Sequence, residues 1–167
     1  MVDADYMKEK QWPELKFTLD VHLGKLAKSL RLFGFDCYDD TNYDDEEIIV
    51  FSLSEGRIIL TRDKALLNNK NVMHGYRVLS QKPNEQLMEV FNHFGLKDHI
   101  KPFSRCMECN GILKEARKED IIDRLFPKTR DYYQSFIMCT GCGRIYWEGS
   151  HYEKMKKYID SVINNVN

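Results

Sequence analysis

What this chain lacks narrows the reading first. No stretch approaches the ~18 consecutive apolar residues of a membrane-spanning helix, and the opening MVDADYMKEKQWPEL has no apolar core of a secretory leader. The 167 residues include only four prolines and nine glycines, with no low-complexity run and no internal repeat. An excess of one charge is missing too: 25 Lys and Arg face 26 Asp and Glu, so the whole chain is no generic binder of polyanions. The expectation is a soluble, cytoplasmic protein without membrane contact, long enough for one ordinary core and an appended module.

The charge is unevenly spread. Residues 101–167 carry 12 basic against 9 acidic side chains, and residues 1–100 carry 13 against 17. The two parts also differ in pattern, which divides the chain into an N-terminal extension (1–14), an α/β unit (15–100) and a cysteine-bearing unit (101–167). LKFTL (15–19) reads as a short strand ending on Asp20, and FDCY (35–38) as a second. RIILT (57–61) is a third, and a fourth lies near Arg77–Leu79. Between them, Leu23, Leu26, Ala27 and Leu30 mark an amphipathic helix with Gly34 as its stop, and Asp44 with Glu47 outlines a capping box opening a second helix that ends at Gly56. A short helix around 65–68 and one marked by Leu87, Val90, Phe91 and Phe94 complete the alternation. Strands that alternate with helices call for a parallel sheet, because each parallel pair needs a crossover.

In open parallel sheets, functional groups collect outside the carboxyl ends of the strands. Three acidic points fall there: Asp20, then Asp39 or Asp40, then Asp63, with Asp45 at a helix start on the same edge. Carboxylates crowded on one rim need cations to stay ionised, and hard oxygen donors suit Mg²⁺ or Mn²⁺. Such ions polarise a phosphodiester and activate water. Set against this, Asp44 to Glu47 read equally as helix caps and Asp20 or Asp63 as turn residues, and His22 as a partly buried helix residue.

Only five cysteines occur, and four of them form two C-x-x-C pairs, Cys106/Cys109 and Cys139/Cys142. This is the pattern of a tetrahedral four-cysteine zinc site, with a longer separation than the usual ~15–20 residues. An insertion, KEARKEDIIDRLFPKTRDYY, accounts for the length. Asn110, Gly111, Gly141 and Gly143 supply knuckle turns. The competing reading is a redox dithiol. Cys37 reads as a small buried hydrophobe.

Taken together, FTLDVHLGKLAKSLRLFGFD, DDEEI, GRIILTRD, SRCMECNG and CTGCGRIYWEGSHYEKM resemble the Mut-seven C-terminal RNase domain family, a PIN-like nuclease domain fused to a zinc ribbon. The resemblance implies an α/β fold, a PIN-like parallel sheet flanked by helices, then a four-cysteine zinc ribbon with a C-terminal helix. It also implies metal-dependent RNA cleavage, with Asp20, Asp45 and Asp63 as the acidic site holding Mg²⁺ or Mn²⁺ and the four cysteines as ligands of a structural Zn²⁺. The chain departs from the family at His22. At Lys64 and Ala65 it also lacks the fourth carboxylate that PIN-like domains often carry.

The expected partner is RNA, single-stranded because Arg144, Tyr146, Trp147 and His151 combine charge with stackable rings, although Tyr146 and Trp147 read equally as ribbon core that docks the last helix. Arg62 beside the acids, and Arg117, Lys118, Arg124, Lys128 and Arg130 in the insertion, are the cations expected to hold its backbone. Two other classes stand beside the ribonuclease. One is a non-catalytic RNA-binding or adaptor module, in which the acids only cap. The other is an Asp-nucleophile phosphatase, which wants a second Asp where His22 stands.

Overall fold

A computed structural model describes residues 12–167; most of the expected N-terminal extension, residues 1–11, lies outside them. Four parallel strands, β1 (Lys16–Leu19), β2 (Asp36–Asp39), β3 (Ile58–Thr61) and β4 (Gly75–Arg77), form a sheet in the order β2-β1-β3-β4. Helices α1 (Gly24–Leu32), α2 (Asp45–Glu55), α3 (Lys64–Leu67) and α4 (Pro83–Phe94) connect or follow them. The chain steps to one side of β1 to make β2 and to the other side to make β3. The topological switch point therefore lies between the carboxyl ends of β1 and β3.

Strand alternation divides the core. Phe17 and Leu19 of β1, Cys37 of β2, and Ile58 and Leu60 of β3 pack against α1 and α4 through Leu26, Leu30, Leu87 and Phe91. Ile59 points the other way, into a smaller cluster with Ile48 and Ile49 of α2 and Leu66 of α3. Full burial of each such side chain is worth about 1.5–3 kcal/mol, so the larger cluster dominates the fold. The helix boundaries follow local chemistry. Asp44 and Glu47 close a reciprocal capping box at the start of α2. Gly34 follows α1 at φ 94°, and a Cβ there would lie 2.1 Å from the Lys101 carbonyl oxygen, so only glycine lets the two chain segments meet.

A second, antiparallel sheet follows, in the order β5 (Leu113–Ala116), β6 (Phe136–Cys139), β7 (Ile145–Tyr146). The insertion between the cysteine pairs forms two short helices, α5 (Lys118–Ile121) and α6 (Pro127–Tyr132), and builds its own cluster from Ile121, Leu125 and Phe136. The last helix, α7 (Ser150–Asn165), turns back to the first unit, and Ile159, Val162 and the following Val166 join the large α/β cluster.

Buried charges bind the ribbon to the sheet. Arg31 of α1 is 3% exposed. It donates to the Cys37 carbonyl at 2.7 Å, to the Met107 carbonyl at 3.1 Å and to the Asp39 carboxylate. Asn110 accepts the edge N–H of Cys37 at 3.0 Å and donates to Asp36 at 2.7 Å. Asp36 also pairs with Arg57 at 2.6 Å and Arg105 at 3.3 Å. The outer edge of β2 is thereby covered, which removes an exposed strand edge.

Candidate active site and metal centre

Side chains two apart on a strand share a face, so Thr61 lies on the α2/α3 side with Ile59. Its hydroxyl donates to Asp20 Oδ2 and accepts the Asp63 backbone N–H at 2.9 Å. This one threonine joins the turn after β1 to the turn after β3, at the switch point. Asp20 is 7% exposed. It also accepts N–H groups from His22 at 2.8 Å and Arg62 at 3.4 Å. Asp63 is exposed, and one of its oxygens caps α3 through the Ala65 N–H at 2.7 Å.

The remaining acids sort themselves by geometry. Asp39 lies on the α1 face and is neutralised by Arg31, and Asp40 closes a turn by accepting the Asn42 N–H at 2.8 Å. Asp44 is absorbed by its capping box at 2.9 Å, while Asp45 heads α2, exposed and outside that box. His22 is also exposed, in a 3-10 turn before α1 instead of half-buried in a helix. Among the described residues, the acids do not gather three carboxylates into one metal-sized group.

The cysteines do. The Sγ atoms of Cys106, Cys109, Cys139 and Cys142 all lie within 4.8 Å of one another, and no other such group occurs among the described residues. The contact Cys106–Cys142 at 3.8 Å matches the ~3.8 Å edge of a tetrahedron with Zn–S bonds of ~2.3 Å, and Cys109–Cys139 at 3.4 Å is slightly shorter. Asn110 and Gly143, each directly after the second cysteine of its pair, take left-handed φ angles of 67° and 72°. A Cβ on Gly111 would meet Cys139 Sγ at 2.7 Å.

The thiols cannot all ionise unaided. Burial and the neighbouring Cys139 and Cys142 thiols push Cys109 up to about 12. Burial opposes ionisation of Cys139 as well, but the N–H groups of Cys142 and Gly141 bring it down to about 7. A cation is what four thiolates would require, and the cluster can bind zinc. Tyr146, its hydroxyl 3.0 Å from Cys106 Sγ, adds a polar contact to the buried side of the cluster.

The expected RNA-binding side chains fall in three places. Trp147 belongs to the ribbon cluster with Phe136 and Tyr133, and with His151 it lines a groove of about 980 Å³ between the ribbon and α7. That groove also carries Glu108, Glu115 and Glu148 against Arg105 and Arg144, so its charge does not favour a polyanion. In the insertion, Arg117 pairs with Asp120 at 2.9 Å, Arg130 with Asp131 at 3.6 Å, and Arg124 donates to the Gly143 carbonyl at 2.6 Å. Lys118 bonds Gln134 at 3.1 Å, and Lys128 is exposed. Arg62 alone of the set stands at the carboxyl edge, beside Asp63.

Three contributors escape a linear reading. Strand alternation puts Thr61 on the face of Ile59, but its tie to Asp20 depends on β1 and β3 being neighbours. The contacts of Arg31 with Met107 and of Asn110 with Asp36 span about 75 residues and leave no local signal.

No helix among the described residues is long and apolar enough to cross a membrane. No curated protein and no solved structure matches the chain. The family model of the Mut7-C RNAse domain matches residues 15–159, from the first strand through the four cysteines and into α7, and implies a nuclease with an RNA substrate. The chain belongs to the Mut7-C RNAse domain family.

Proposed function

We propose that this protein is a divalent-metal-dependent ribonuclease that hydrolyses single-stranded RNA at the Asp20–Thr61–Asp63 corner, with a zinc-loaded ribbon as a structural support. The observation that carries the reading is the shared Thr61 hydroxyl, which ties two acidic strand tips together at the switch point of a parallel sheet. The donor set fits Mg²⁺ or Mn²⁺. Such an ion keeps several waters and is held by one or two carboxylates with substrate phosphates, so a group of three is not required. Asp20 and Asp63 would hold it, with Asp45 as a third acid at the head of α2. When bound, the ion supplies charge for the phosphodiester and a water of lowered pKa.

The chain's own residues provide position. Thr61 and the His22 and Arg62 N–H groups fix the Asp20 carboxylate, so that it is pre-set before substrate arrives. Asp63, capped against α3 through one oxygen, leaves the other for a ligand. The four cysteines would hold one Zn²⁺ in a closed site, which gives it no open position for chemistry.

The test is cleavage of an end-labelled single-stranded RNA in Mn²⁺. Asp63→Asn should lower the rate at least a hundredfold while the thermal midpoint stays within a few degrees. Full activity in this variant, or activity that persists in excess chelator, would remove the reading. RNA binding without any cleavage would instead support the adaptor module.

A further inference from the structure

We propose that Arg62, Lys64 and Arg77 form a rim that grips the phosphates of the RNA as it enters the Asp20–Asp63 corner; this rests on the ribonuclease reading above. Arg77 ends β4 in register with Thr61 of β3, so the two sit on neighbouring strands about 5 Å apart and project to the same face. Its Nε donates to the Arg62 carbonyl at 3.3 Å, tying the end of β4 to the turn that carries Asp63. Lys64 follows Asp63 directly and opens α3. All three side chains are exposed.

Charge distinguishes this group from the other basic stretch of the chain. Among the described residues, Arg62, Lys64 and Arg77 make no ion pair and stand beside the acidic corner, whereas in the insertion Arg117 and Arg130 are paired with Asp120 and Asp131, Arg124 and Lys118 are held by the Gly143 carbonyl and Gln134, and only Lys128 is without such a partner. A paired cation must give up its partner to take a phosphate, and an unpaired one does not. Acids alone would repel the RNA backbone. Cations placed within a Debye length of ~10 Å offset that repulsion for the arriving strand. Guanidinium groups suit the task because they meet phosphate oxygens in a bidentate fork.

The measurement is anisotropy of a fluorescein-labelled 12-nucleotide oligouridylate across a KCl series, on full-length protein carrying Asp20→Asn to prevent turnover. Each lost phosphate contact on a single strand reduces the salt slope by about 0.7, so R62Q/K64Q/R77Q should flatten it by about two and weaken binding at least tenfold at 0.1 M salt. R62K/R77K keeps the charges and should restore the slope. R117Q/K118Q/K128Q should leave affinity within twofold. A rim variant with unchanged affinity and slope would overturn the proposal, all the more if the insertion variant lost both. Cleavage by the wild-type chain in Mn²⁺, run in parallel, separates the two claims. If the wild-type chain cleaves but the rim has no effect, only the rim falls. If the wild-type chain neither cleaves nor binds RNA in a salt-dependent way, both fall.

Discussion

At the junction of sheet and ribbon, Arg31, Arg57 and Arg105 each reach a carboxylate, and Arg31 and Arg57 are less than a tenth exposed. At the carboxyl edge of the same sheet, Arg62, Lys64 and Arg77 are exposed and make no ion pair among the described residues. Cationic side chains therefore stand in opposite settings in the two places. A buried charge must be matched because desolvation would otherwise dominate. An exposed, unmatched charge costs the fold little and is left to meet something else. The acids divide in the same way: Asp36 and Asp39 are spent on arginines, while Asp45 and Asp63 are exposed and form no ion pair among the described residues.

The largest effect should come from disrupting the four-cysteine cluster beside the junction. Purified protein should carry one Zn²⁺ per chain by elemental analysis, and Cys139→Ser should unfold the knuckles, since structural zinc contributes about 10 kcal/mol or more to such modules. The sheet should survive, because its clusters share no residue with the ribbon cluster of Ile121, Leu125 and Phe136. Hydrogen exchange should show the Cys37 amide, held by Asn110, becoming labile while the amides between β1 and β3 stay protected. Uniform loss of protection would show that the two units fold as one.

Arg31→Met comes next in size. It leaves Asp39 unpaired and strips a hydrogen-bond donor from the Cys37 and Met107 carbonyls, for a cost of about 3–5 kcal/mol. For a chain of this length that lowers the thermal midpoint by roughly 6–20 °C. Arg62→Met at the edge should shift it far less. Equal shifts would erase the distinction between junction and edge.

The smallest effect concerns acid. Burial alone would raise the pKa of Asp36, but hydrogen bonds from Arg57 and Asn110, together with the charges of Arg57 and Arg105, hold it below the ordinary carboxylate value. A lowered folded pKa contributes stability that is fully present above the unfolded value near 4 and is lost as pH falls through the folded value. Chemical denaturation below pH 4 should therefore show a shallower acid decline in Asp36→Asn than in the wild type. Glu89 and Glu108 are lowered as well and keep part of the decline. Parallel acid limbs in the two proteins would mean that Asp36 is not tuned by the junction.

Much of this architecture is legible in the sequence because it is local. Period-3.6 apolar positions place α1 and α4, glycines mark their ends, and the C-x-x-C spacing brings out the cysteine cluster. The edge of the sheet was legible as well, because a strand such as IILT names its own carboxyl end. What stays hidden depends on the face or on a distant partner. Whether Asp39 or Asp40 joins the acids is decided by the pleat, which turns Asp39 toward Arg31. The insertion reads as a free basic stretch in one dimension, yet folding pairs Arg117 with Asp120 and turns Arg124 onto the Gly143 carbonyl. The role of Thr61 required knowing that β1 and β3 are neighbours, which their order in the chain does not state.

The central claim is that Asp20 does chemistry and is not merely a cap. Asp20→Asn preserves the shape and the bond from the His22 N–H but loses the charge and the best acceptor for Thr61 and Arg62, at a stability cost of about 1.5–3 kcal/mol. The decisive measurement is the Mn²⁺-dependent rate of single-stranded RNA cleavage by zinc-replete wild type and Asp20→Asn, with thermal midpoints taken on the same samples. At least a thousandfold loss of rate is expected, with a midpoint shift of roughly 3–12 °C that leaves the protein folded at the assay temperature. Undiminished cleavage in a folded Asp20→Asn protein would contradict it.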